Sequence, residues 1–115
     1  MNGNEDFSMN IGNKLAVGTC VIRMEATVDE LINSVGENIK KLNKKLGEEP
    51  AFYHLVHCGG RRAGIGDRIN EVTRALKRTI GDIPYIMEFT FGEYGYVQDG
   101  RNTCGGLMLS FTAFA

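Results

Sequence analysis

The chain has 115 residues, 43% of them hydrophobic, enough for one domain with a buried core of its own. Its 13 Lys and Arg against 14 Asp and Glu leave a net charge of -1, which excludes a global field for holding nucleic acid or an anionic membrane. Cys20, Cys58 and Cys104 are odd in number and form no C-x-x-C pair, which argues against a disulfide framework and against a zinc site.

Residues 1 to 12 are polar and rich in Asn and Gly, and are expected to be a flexible N-terminal tail, with residues 13 to 115 forming the domain. From Lys14 to Met24 the run is apolar on both faces, which predicts a first, buried strand. Thr27 followed by Glu30 has the spacing of a capping box, so a helix is expected to begin there. Its stripe of Val28, Leu31, Ile32, Val35, Ile39, Leu42 and Leu46 keeps a 3.6-residue rhythm up to Gly47, the expected stop.

Beyond Pro50, the run from Ala51 to Cys58 predicts a second strand. The stretch from Cys58 to Asp67 then reads as a glycine-rich loop ahead of a second helix, about Arg68 to Ile80, capped by Asp67 and closed by Gly81. Tyr85 to Phe91 alternates as a third strand, Gly92 to Asn102 reads as a long polar loop, and Leu107 to Phe114 alternates as a fourth strand. The fold class is α+β: a four-stranded sheet with two helices packed on one face, in the order β-α-β-α-β-β. Two helices cannot also cover the other face, so a partner domain or a second copy is expected there.

The loop after the second strand is the candidate site. It places the Cys58 thiol, the Arg61 and Arg62 guanidinium groups and Gly66 beside the expected start of a helix, where backbone N–H groups and the helix dipole favour an anion. A carboxylate or phosphate is met best by a guanidinium fork, which either Arg61 or Arg62 supplies, although a salt bridge to Glu71 or Glu93 explains Arg61 equally well. Glu93 on a facing loop would take an ammonium group, and Asn102 either donates to a ligand carbonyl or starts a turn with Gly100. His54 and His57 lie on opposite faces of the strand, so at most one serves a pocket. Cys58 is either a lowered-pKa nucleophile or a small buried residue.

The run His57-Cys58-Gly59-Gly60-Arg61 with Gly66 and Glu71 beyond it, then Ile83-Pro84, Thr90-Phe91-Gly92-Glu93 and Asn102, resembles the C-terminal domain of the FIST family, the F-box and intracellular signal transduction proteins. The resemblance runs from about Leu15 to Phe111. It implies an intracellular sensory domain that binds a small polar ligand, such as an amino acid or another carboxylate, and does not imply catalysis. Met87 stands where the family's third strand tends to carry a glycine, and the larger N-terminal FIST domain is expected as a missing partner.

No nucleic acid, membrane, metal or cofactor is expected, and the location is expected to be cytoplasmic: no run nears the roughly eighteen apolar residues of a span, and no export signal opens the chain. Two other classes stay open. One is a protein-interaction or homo-oligomerisation module built on the aromatic strands; the other is a cysteine-dependent enzyme using Cys58, a histidine and Glu93.

Overall fold

The computed structural model describes residues 2–10, 14–22, 24–96, 100 and 102–115, and the backbone alone of 2, 3, 93 and 102–104. The chain opens on a short antiparallel pair, β1 (Asn2–Gly3) with β2 (Met9–Asn10). α1 follows at Val28–Leu46 and is held at its start by the capping box: Glu30 N donates to Thr27 Oγ1, and Thr27 N donates to the Glu30 carboxylate at 2.7 Å. It ends where Gly47 takes a left-handed φ of 80°, a conformation open to glycine at no steric cost.

β3 (Phe52–Cys58) runs into α2 (Gly59–Ile65), a single 3-10 turn spans Gly66–Arg68, and α3 covers Ile69–Ile80. β4 (Tyr85–Thr90) returns parallel to β3, as a β-α-β crossover requires. β5 (Glu93–Tyr96) and β6 (Asn102–Gly105) form a separate two-stranded pair, and β7 (Leu109–Phe114) closes the chain antiparallel to β3. Among the described residues the main sheet therefore has three strands, in the order β4-β3-β7.

Pairing stacks the inward residues in three rows: Tyr53 with Tyr85 and Ala113, Leu55 with Met87 and Phe111, and His57 with Phe89 and Leu109. α1 brings Ile32, Val35 and Ile39 onto this face and α3 brings Val72, Ala75, Leu76 and Ile80. The Tyr53 hydroxyl, buried at the centre, donates to Asn43 Oδ1 at 2.7 Å, so its polar end is satisfied. Gly36 sits where α1 crosses α3: a Cβ there would lie 2.9 Å from Thr79 Oγ1.

Four expectations are corrected. The run from Lys14 to Met24 forms no strand in its described part; Thr19 N donates to Ala16 O around Gly18 at φ 84°, and Val17, Val21, Ile22 and Met24 are exposed. The sheet accordingly has three strands rather than four, with the last strand beside β3. The glycine-rich stretch is largely helical, as α2, and Asp67 lies in the 3-10 turn without capping α3. The expected long loop from Gly92 to Asn102 is in part the β5–β6 pair. The α+β class and the placement of helices on one face of the main sheet stand.

Candidate functional site

β3 and β4 run in parallel, so their carboxyl ends, Cys58 and Thr90, open at the same end of the sheet. Open α/β sheets bind ligands outside such strand ends. α2 starts there at Gly59, and the chain past β4 lays Phe91 across it: a Cβ on Gly59 would fall 2.7 Å from the Phe91 ring. The β6–β7 connection closes the side, with Leu107 at a positive φ of 58° and its side chain beside Gly60.

Arg61 points inward from α2 and is 8% exposed. Its guanidinium donates to the carbonyl of Leu31 and the hydroxyl of Ser34 on α1, and to the carbonyl of Leu107 at 3.3 Å. One side chain thus ties α1 to the β6–β7 connection, using the planar fork that lysine lacks. These partners take the place of the Glu71 salt bridge weighed from sequence, while the Glu93 side chain lies outside the described residues; the Glu71 carboxylate is held by Arg68, which also reaches Asp29 on α1 at 2.7 Å. Ser34 was missed by sequence reading, and its signal is a small hydroxyl one turn after Leu31 along the apolar face of α1.

His57 is fully buried. Its Nδ1 lies 3.1 Å from the Cys58 carbonyl oxygen, its ring packs 5.3 Å from that of Phe89, and its Nε2 has no partner among the described residues. Burial pushes the imidazole pKa down, and the Arg61 cation adds to that shift. Arg61 Nε is likewise buried without a partner among the described residues, so two polar atoms lie unsatisfied by them close under this strand end. His54 faces the other way, to the outer surface, where its Nε2 meets Glu88 Oε1 at 2.9 Å.

The other candidates spread out. Cys58 is buried at the strand end, Arg62 is exposed with its guanidinium 5.6 Å over the Phe89 ring, and Gly66 ends α2 at φ 61° and ψ -136° with its N–H on the Arg62 carbonyl. The β5–β6 pair carries Glu93 and Asn102, whose side chains lie outside the described residues. The structure brings Cys58, Arg61 and Arg62 together with His57 at one end of the sheet.

A family model described as the FIST C domain matches residues 1–96 of the chain. The chain belongs to that family. No curated protein and no solved structure matches it. In this FIST C domain, the match takes in the whole of β3, α2 and α3, with Cys58, Arg61, Arg62, Gly66 and Glu93 inside it and Asn102 beyond it. The family is associated with sensing in signal transduction. Among the described residues, no helix is long and apolar enough to cross a membrane, and no group of three or more His, Cys, Asp or Glu is placed to hold a metal ion.

Proposed function

We propose that this FIST C domain is a non-catalytic sensory module that binds a small polar ligand, an amino acid or another carboxylate, at the carboxyl ends of β3 and β4. The observation that supports the reading is the pair of buried nitrogens without a partner among the described residues, His57 Nε2 and Arg61 Nε, under a strand end rimmed by glycine and exposed aromatic residues. Arg62 is the arginine left facing solvent, so it is assigned to the ligand carboxylate. Glu93 and Asn102 are assigned to the ammonium and carbonyl ends, and Arg61 to holding the loop behind them. An N-terminal FIST domain or another signalling domain is the proposed partner that reads the bound state, inside the cell.

The test is a thermal-shift screen of the purified chain against amino acids, carboxylates and inorganic phosphate, repeated with Arg62→Ala. A compound at about 100 times its Kd stabilises by roughly 2.7 kcal/mol, which raises the midpoint by several degrees. A shift present in the parent chain and lost in Arg62→Ala supports the site; no shift from any compound overturns it for this chain. One observation favours a second reading, an interaction module. The outer face of the main sheet carries the Phe52–Phe114 ring pair, with centroids 5.9 Å apart, and Ile86 at 49% exposure.

A further inference from the structure

Natural sheets blunt their free edges with charges, prolines or bulges, because a bare edge is a template for another strand. β7 has none of these: its sequence is Leu-Ser-Phe-Thr-Ala-Phe, without a charge or a proline, and among the described residues it pairs only with β3. Cys58 N donates to Met108 O, so the even-numbered residues of β7 face β3. In an antiparallel ladder the alternate residues then turn their N–H and C=O groups the other way. Leu109, Phe111 and Ala113 therefore present three donors and three acceptors along a free edge. Beside that edge runs a groove of about 250 Å³ between β7 and α1, floored by Leu42, Leu109 and Phe111 and flanked by Asn38, Lys41 and Lys45.

The chain also carries a strand-like segment that joins no sheet among the described residues. Val21, Ile22 and Met24 are 64%, 79% and 82% exposed, in a run rich in the β-branched residues that favour sheets. This segment leaves the body at the start of α1, and the molecule is drawn out to 51 Å in its longest dimension. Its radius of gyration of 16.4 Å exceeds the roughly 13 Å of a compact chain of this length. An exposed apolar arm and a bare edge on the body make a self-complementary pair of surfaces, which a twofold axis satisfies twice.

We propose that two copies of the chain exchange arms, the segment around Val21 and Ile22 of each adding antiparallel to the β7 edge of the other as a fourth strand and covering its groove. The occupant of the edge is thus a second copy of this chain, and the interface has main-chain hydrogen bonds for affinity and alternate side chains for register. The inference goes beyond the ligand-binding reading and does not depend on it.

Light scattering on a sizing column tests the mass across an approximately hundredfold concentration range, since an exchange dimer obeys mass action. The parent chain is expected to approach twice its 12.7 kDa at the high end, while Ile22→Lys, altering a side chain exposed in the single chain, stays monomeric with unchanged circular dichroism. Disulfide trapping, in a Cys20→Ser, Cys104→Ser background, then distinguishes whose arm sits on the edge. Val21→Cys on a tagged chain and Thr112→Cys on an untagged one are expected to cross-link on mixing. A monomer at every concentration overturns the proposal, as does a dimer that Ile22→Lys leaves intact. A separate chain carrying both Val21→Cys and Thr112→Cys that closes its disulfide only within itself overturns it too, because the arm then lies on its own sheet.

Discussion

Arg61 and Arg62 are neighbours in sequence with opposite fates, and the difference is measurable. Replacing Arg61 by Ala strips donors from the carbonyls of Leu31 and Leu107 and from Ser34, and hydrogen bonds to a charged group are worth about 1.5–3 kcal/mol each. Because part of that loss is recovered by water, a cost of about 2–4 kcal/mol in urea unfolding is expected. Arg61→Lys is expected to recover little, since a point charge cannot span three acceptors. Among the described residues Arg62→Ala loses an exposed cation–π contact and is expected to cost no more than about 1 kcal/mol, which makes it the cleaner probe of ligand binding. The sequence marked both arginines as special, but not which one turns inward: that depends on α2 being helical, which places Arg61 on the buried side with Ile65.

His57 carries the pH prediction. Its pKa in the folded chain lies below the ordinary 6.5, chiefly through burial, so the unfolded chain binds a proton there more readily than the folded one. That contribution is complete above about pH 6.5 and is lost as the pH falls toward the depressed folded value. Urea midpoints are expected to decline as the pH drops from about 7 to 5, and more shallowly in His57→Gln. A parent and variant with parallel profiles would show that His57 is not the group responsible.

At the scale of elements, α1 was legible to within a residue because its signals are local: a capping box at Thr27, a 3.6-residue stripe and a glycine stop. Thr27→Ala is expected to cost about 1 kcal/mol, read as a lower urea midpoint at unchanged m. α2 was not legible, since three of its seven residues are glycines, each costing about 1 kcal/mol against Ala in a helix. Buried Arg61 and Ile65 outweigh that propensity, which makes this a tertiary override that no local pattern announces. Gly36 has a similar hidden role at the crossing of α1 and α3. Gly36→Leu must push against Thr79 and the Ala75 carbonyl, and a loss of about 1–3 kcal/mol is expected from overpacking. Gly36→Ala introduced into Thr79→Ala is expected to be neutral or stabilising, because the 2.9 Å contact is then gone and alanine is the better helix former.

For the whole molecule, the sequence predicted a strand at residues 14–24 because an apolar run of that kind has to be buried somewhere; sequence alone does not say against which surface. Among the described residues, the buried hydrophobic side chains of the core fall between Ile32 and Ile80, and the partly buried ones packed on it between Val28 and Ala113. The described residues before Glu25 add exposed surface and no core, so they contribute little to what unfolding newly exposes. The urea m-value scales with that newly exposed surface. A chain beginning at Ala26 is therefore expected to unfold cooperatively with an m-value within about 15% of the full chain carrying Ile22→Lys, which removes arm exchange from the comparison. A clear fall in m on truncation would mean that the arm packs against its own body in solution, and would count equally against the exchanged arrangement at the β7 edge.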